Sequence, residues 1–342
     1  MLASDGARAE ASVRAPTHDR CVQITPIAAA DYARTVLPAT FELWGAGRTY
    51  EAYVADFFSV ANSRLVRRRK HTVGLYEAGM LATSCKLYGR ELHWGERTMR
   101  AVGIGAVFTP APLRGRGYAI AMLGALLDAE VAAGTDLAFL FSDIQPLFYE
   151  RLGFARLPSR LVTVRATSLP GRPTGSVPLA DADWPLVRRC FDELDAQRAW
   201  GFTRTPVVWE WIRAKWTPRP ERGVQAVQLI VKRGRTAHAY VLGRRVVAAN
   251  AFVVDEYGYS GDGGRETVTA LLRAAAGDLA RVSGWLPPLP ARDALPRGSV
   301  RARPNAILMV APLSSLARSW WRLHGPDIAA ASADAVWSAD HV

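Results

Sequence analysis

Apolar and polar positions alternate or recur along the chain with two periods, and the switches between them outline the elements. Val22 to Ile27 alternates and is β-rich, which predicts a short strand. Ala29 to Leu43 places Tyr32, Val36, Leu37 and Phe41 near one helical face, and Tyr50 to Leu65 reads as a second helix. His71–Glu77 and Met80–Tyr88 then read as strands joined at Glu77-Ala78-Gly79, followed by a long strand from Arg97 to Phe108 that Thr109-Pro110 ends. An apolar helix is predicted from Gly117 to Ala133, a buried strand over Leu137–Phe141, a helical turn or two over Pro146–Leu152, and a strand over Phe154–Val164. Residues 167–176 (TSLPGRPTGS) have linker composition. Beyond them the order repeats: a strand near Val177, helices over Asp181–Gln197 and Pro206–Trp216, strands over Val224–Val231, Ala237–Leu242 and Val246–Glu256, a helix from Arg265 to Val282, and a last strand over Ala306–Val310. The expected organisation is a flexible arm over 1–21, an α/β domain over 22–166, the linker over 167–176, and a second domain of the same layout with a tail over 177–342.

Composition changes this picture little. Of 342 residues, 49% are hydrophobic and 22% charged, which is globular and not disordered. No apolar run reaches the ~18 residues of a membrane span, and the N-terminal stretch has no apolar leader core, so neither membrane insertion nor secretion is expected. Three scattered cysteines (Cys21, Cys85 and Cys190) and six dispersed histidines argue against a disulfide framework or a metal site, and for a cytoplasmic protein. The net charge of +12 invites a nucleic-acid reading. Against it, the excess is arginine spread along the chain, with Lys70, Lys86, Lys215 and Lys232 the only lysines, and the run Arg67–Lys70 is short. No nucleic-acid partner is therefore expected. An anionic small-molecule ligand accounts for part of the charge.

The chemistry concentrates between Gly103 and Phe154. There a β-rich strand runs into Leu113-Arg114-Gly115-Arg116-Gly117-Tyr118-Ala119 and then directly into an apolar helix. Such a junction aims several backbone N–H groups and the positive end of a helix dipole at one point. Gly115 and Gly117 allow close approach, and Arg114 and Arg116 add fork-shaped cationic donors. The result is a pyrophosphate cradle. It is neither a P-loop, since no Lys follows the glycines, nor a dinucleotide GxGxxG.

The elbow fits the pattern [R/Q]-x-x-G-x-[G/A] at Arg114, Gly117 and Ala119, and about thirty residues later Tyr149 and Gly153-Phe154 fit Y-x-x-x-G-F. On these two motifs, in order and at matching spacing, the chain resembles the GCN5-related N-acetyltransferase (GNAT) superfamily. The resemblance implies acetyl-CoA as co-substrate, an amine acceptor and no metal. Val107, Phe108 and Thr109 would bond the pantetheine arm, and Arg114, Gly115, Arg116, Gly117, Tyr118 and Ala119 would hold the pyrophosphate. Ser142 and Asp143 would line the cleft, and Tyr149 would act as general acid beside the thioester sulfur. A lone-pair attack by a neutral amine needs no covalent enzyme intermediate, in keeping with the absence of a nucleophile–base constellation. Asp143, Glu42, Asp56 and Glu77 are candidate bases.

The second half has Asp262 at the equivalent junction and neither motif, and reads as a degenerate, non-catalytic copy. An active domain followed by a degenerate one is similar to the bacterial enhanced-intracellular-survival (Eis) acetyltransferases, which implies a homo-oligomer. In that group the terminal carboxylate serves as a base; the sequence leaves open whether Val342 does so here. Phe41 and Trp44, on the helices that roof the acceptor site in this fold, are candidate acceptor contacts. The competing reading is a protein that binds acetyl-CoA as a sensor or scaffold without turnover.

Overall fold

The structure, a computed structural model, describes residues 24–67, 71–171, 175–216, 223–233, 236–330 and 336–342. The arm at 1–21, Cys21, part of the linker and most of the run Arg67–Lys70 lie outside these residues.

The first half holds β1 (Ile24–Pro26), α1 (Ala29–Thr35), α2 (Leu37–Trp44), α3 (Tyr50–Ala61), α4 (Arg64–Arg67), β2 (Thr72–Glu77), β3 (Met80–Trp94), β4 (Arg97–Phe108), α5 (Tyr118–Ala132), β5 (Leu137–Ser142), α6 (Leu147–Glu150) and β6 (Ala155–Arg156). β7 (Arg160–Arg165), β8 (Ser176–Pro178), α7 (Trp184–Asp195), β9 (Trp200–Thr203), α8 (Pro206–Lys215), β10 (Val224–Arg233), β11 (Thr236–Val246) and β12 (Ala251–Tyr259) follow. The chain continues through α9 (Gly264–Ala276), β13 (Arg281–Trp285), β14 (Ser299–Ala302), β15 (Ile307–Pro312) and α10 (Ser315–Ala330). None of the described helices is long and apolar enough to cross a membrane.

Two mixed sheets flanked by helices result, one of eight strands in the order β1-β2-β3-β4-β5-β15-β6 with β9 added to β3, the other of seven in the order β14-β7-β13-β12-β11-β10-β8. This is the expected α/β layout of two GNAT-like halves, with one difference. Each half lends a strand to the other. β15 runs antiparallel to β5 from Ile307↔Ser142 to Pro312↔Leu137, and β7 runs antiparallel to β13 from Arg281↔Arg165 to Trp285↔Leu161. The sequence reading had kept Phe154–Val164 as one strand of the first domain and Ala306–Val310 in the second. Pro158 interrupts the former, because it can donate no ladder hydrogen bond, and the chain crosses to the other sheet at that point. The two halves therefore cannot part without breaking both ladders.

The predicted helices form, except that Ala29–Leu43 divides at Val36 into α1 and α2, where Pro38 opens the second, and α10 is one the pattern did not predict. Thr49 caps α3 by accepting from the Ala52 N–H at 3.2 Å, and Thr205 caps α8 in the same way. α5 packs Met122, Leu123, Leu126 and Leu127 against one face of the first sheet. On the opposite face α1, α2 and α3 enclose Tyr32, Val36, Leu37 and Phe57. The helix predicted to run to Val282 stops at Ala276, where Gly277 follows with φ +60°, and Arg281–Trp285 is a strand instead.

Candidate active site

β4 and β5 pair in parallel only from Ala101↔Leu137 to Ile104↔Leu140, although β4 continues to Phe108 and β5 to Ser142. Beyond Ile104 the two strands part. On its other side β4 is bulged. Ser84 opposes Phe108 and Lys86 opposes Gly105, so β4 carries one residue more than β3 across that interval. Ala106 absorbs the distortion at φ +49°, a left-handed conformation that costs an alanine about 1–2 kcal/mol. The strand end is pinned by Thr83, whose hydroxyl donates to the Phe108 carbonyl at 3.0 Å and accepts from Thr109 Oγ1 at 2.9 Å. Since Phe108 faces β3, alternation turns the main chain of Val107 toward the gap. An extended ligand could add itself there as a strand would.

The elbow after β4 ends at the N-terminus of α5. Gly115 and Gly117 have φ of +77° and +81°, and Gly117 is the N-cap. Both positions need glycine for backbone conformation and not for space, since a Cβ would meet nothing at either. Outside the helix itself, the described residues offer no hydrogen-bond partner to the N–H groups of residues 115–119, which leaves a row of donors at the positive end of a 15-residue helix. Arg116 is exposed, while Arg114 turns back so that its Nε donates to the Thr109 carbonyl at 3.0 Å, bracing the elbow. The Tyr118 hydroxyl is bonded to Glu77 and ties α5 to the β2–β3 hairpin. These residues fit a diphosphate: donors without partners, glycines where only glycine serves, and one free guanidinium.

Tyr149, on the single turn of α6, is buried against Phe148 and Phe154 and belongs to the cluster that holds Cys85, Ile104 and Leu140. Its hydroxyl makes no hydrogen bond among the described residues. Burial, together with the nearby Asp143 carboxylate and the Cys85 thiol, pushes the phenol up to about 12. Ser142 closes β5 with its hydroxyl on the Ile144 carbonyl. Asp143 accepts from the Ala306 N–H at 2.9 Å and so anchors the start of the borrowed strand β15. The other candidate bases are engaged or exposed: Asp56 pairs with Arg48, Glu77 with Tyr118, and Glu42 faces solvent. Phe41 packs on Tyr50 and Tyr53, and Trp44 on Phe108.

Residues 37–157 match the family model for the acetyltransferase (GNAT) domain. Structurally the chain is similar to a GCN5-related N-acetyltransferase from Anabaena variabilis (TM-score 0.67, 13% identity, 86% of this chain and 74% of that one). It is also similar to Eis1 from Mycobacterium abscessus (TM-score 0.53, 15% identity, 85% and 74%) and to Saccharomyces cerevisiae N-myristoyltransferase with bound myristoyl-CoA (TM-score 0.52, 11% identity, 85% and 78%). No curated protein sequence matches. Residues 37–157 are thus similar to a GNAT domain, and the chain shares the fold of these structures.

This GNAT-like half is completed by segments from far along the chain. The last residues, 336–342, run across the face of its sheet opposite α5. A Cβ on Gly105 would lie 2.9 Å from the main-chain carbon of Val342, so the tail rests on β4 just where the strands part. The His341 ring packs at a tilt on Phe141 and edge-on to Trp285, at 4.9 and 5.9 Å between centroids. Asp340 is buried between Arg90 of β3 (2.8 Å) and Arg204 (2.9 Å), and Arg204 also bonds Glu256 of β12. Lys215 donates to the carbonyls of Ala339 and His341. α10 likewise returns to this half, where Trp320 packs on Trp94 and Trp200. Gly105→Ala should therefore press on the tail and lower stability by about 1–3 kcal/mol, read as a drop in Tm. An unchanged Tm would mean that the tail does not press there.

In the second half α9 has the same left-handed N-cap, Gly263 at φ +76°, and β12 and β13 pair in parallel only from Ala251↔Arg281 to Val254↔Gly284. Here apolar Val254, Tyr257, Trp285, Pro287 and Leu295 line a small cavity beside the end of this pairing.

Proposed function

We propose that the chain transfers an acetyl group from acetyl-CoA to a primary amine by direct attack in a ternary complex. What supports this reading is the main chain of β4 that runs on past its pairing with β5, the N–H groups at the start of α5 that have no partner among the described residues, and a buried Tyr149 packed in the same cluster as Ile104 and Leu140. In this reading residues 115–119 hold the pyrophosphate with Arg116, and residues 107–109 align the pantetheine arm with β4. The amine lone pair attacks the thioester carbon, and a main-chain N–H at the bulge donates to the oxygen as charge collects on it. The carbon–sulfur bond then breaks, the Tyr149 hydroxyl protonates the departing sulfur, and the proton shed by the attacking nitrogen passes to water, from which the phenolate is reprotonated. A phenol held high by burial stays protonated at every physiological pH, as a donor must. The second half, whose elbow carries Asp262, serves as scaffold: it lends β9, β15 and the tail to the catalytic half.

The test is release of free thiol from acetyl-CoA against a panel of amines, including aminoglycosides, polyamines, amino acids and lysine peptides. Turnover with at least one amine is expected. Tight CoA binding without turnover of any would replace this reading by that of a sensor. The Arg114→Ala, Arg116→Ala double variant should raise the KM for acetyl-CoA about tenfold, a loss of about 1.4 kcal/mol that matches one charge-assisted phosphate contact. An unchanged KM would remove the elbow from the site.

A further inference from the structure

Lys86 stands on β3 directly opposite Gly105, so its side chain projects from the same face of the sheet as the gap and away from α5. Its Nζ lies beside a stacked pair of rings, 5.2 Å from the centroid of Tyr32 and 4.9 Å from that of Phe57. The other charges facing this region are matched. Arg48 pairs with Asp56, Arg90 and Arg204 with Asp340, and Arg204 also with Glu256, while Lys215 is held by tail carbonyls. Lys86 alone among them has no carboxylate within ion-pair reach in the described residues, and only the ring faces of Tyr32 and Phe57 answer its charge. Its immediate neighbours Ser84, Cys85, Leu87 and Tyr88 are buried, yet Lys86 keeps solvent-accessible surface. A half-buried ammonium with no carboxylate in ion-pair reach among the described residues can receive an anion. Burial with no opposing charge lowers it to about 8, the response of an ammonium that awaits a partner.

The direction of approach supports this placement. The α5 face of the sheet is filled by Leu, Met and Ile side chains, and the elbow lies at the N-terminus of α5. That leaves the opposite face, which carries Lys86 and Gly105 and on which the main chain of Val342 lies against Gly105.

We infer that Lys86 receives an anionic group of the acceptor, and that the accepted amine is one that also bears a carboxylate, as an amino acid does. This rests on the acetyl transfer proposed above.

The experiment uses matched pairs of amines with the full-length protein: lysine and cadaverine, phenylalanine and phenylethylamine, with phosphoethanolamine and ethanolamine to separate carboxylate from phosphate. The carboxylated member of each pair is expected to have a kcat/KM at least tenfold above its partner. Lys86→Met should lose 10- to 100-fold on the carboxylated member and change the partner less than threefold, and Lys86→Arg should restore part of the loss. Circular dichroism of both variants controls for folding. Equal use of both members, a preference for the decarboxylated amine or for phosphoethanolamine, or an equal loss on both members in Lys86→Met would overturn the inference. Should no amine be turned over, the transfer reading fails, and calorimetric binding of the same pairs to the protein with CoA still decides the role of Lys86. Preferential binding that Lys86→Met abolishes supports it, and no preference overturns it.

Discussion

Tyr149→Phe is expected to lower kcat about 10²- to 10³-fold, the range that loss of one positioned proton donor produces. KM for acetyl-CoA should change little, because the elbow and β4 hold the rest of the molecule. Removing one hydroxyl from a ring packed between Phe148 and Phe154 leaves its apolar contacts in place, and that hydroxyl has no partner among the described residues to orphan. Tm should therefore stay within a few degrees of the parent. This separation of rate from stability is what distinguishes a donor from a core aromatic. The pH profile gives a second readout. With the phenol pushed up to about 12, the protonated form persists through the alkaline range, so the parent enzyme should show no fall in kcat below about pH 10 from loss of the acid. Any limb at lower pH belongs to the acceptor amine and should survive in Tyr149→Phe. A variant retaining half the parent kcat would place the donor elsewhere.

The motifs that carry this chemistry are local, and local patterns are what a sequence displays. Arg114 to Ala119 forms the elbow, and Tyr149 to Phe154 the turn, within a few residues of where strand–loop–helix periodicity puts them. The left-handed Gly115 and Gly117 follow from the absence of a Cβ. The exchange of β7 and β15 is not legible in this way. Both are apolar, alternating strands that satisfy either sheet, and only the interruption at Pro158 hints at a crossing. β13 (RVSGW) was absorbed into the preceding helix because Ser283 and Gly284 dilute its strand signal and the intervening turn is short. Lys86 was passed over for a different reason. In an alternating strand a lysine normally marks the solvent side, but here α1 and α3 cover that side. The tail's role depends on Arg90, Arg204, Glu256 and Asp340, which are dispersed over some 250 positions and meet only once both sheets are assembled.

That assembly supplies the largest effect on stability. Asp340→Ala would leave the Arg90 and Arg204 guanidiniums buried without the carboxylate they share. Removing one partner of such a cluster costs about 3–5 kcal/mol, more than the pair itself contributes over an apolar replacement, because the charges left behind stay desolvated. Chemical denaturation should show this loss, and a change under about 1 kcal/mol would mean that water reaches the cluster. The sign of the pH dependence follows from the carboxyl itself. Burial pushes Asp340 up, but Arg204 and Arg90 overcome it and hold the group well below the usual carboxylate range. Its contribution is therefore complete above the ordinary carboxyl range and is lost as pH falls through it and below. Glu256, pushed up by burial, works in the opposite sense in the same cluster. The difference between parent and Asp340→Asn, measured from pH 7 down to pH 3, isolates Asp340: it should narrow as the acid removes from the parent what the variant already lacks. Because Asp340 also fixes the segment that sets Val342 against Gly105, the same variant should lose turnover at pH 7 under conditions where it remains folded. Retained activity in a destabilised Asp340→Asn protein would show that the tail braces the two halves without shaping the gap.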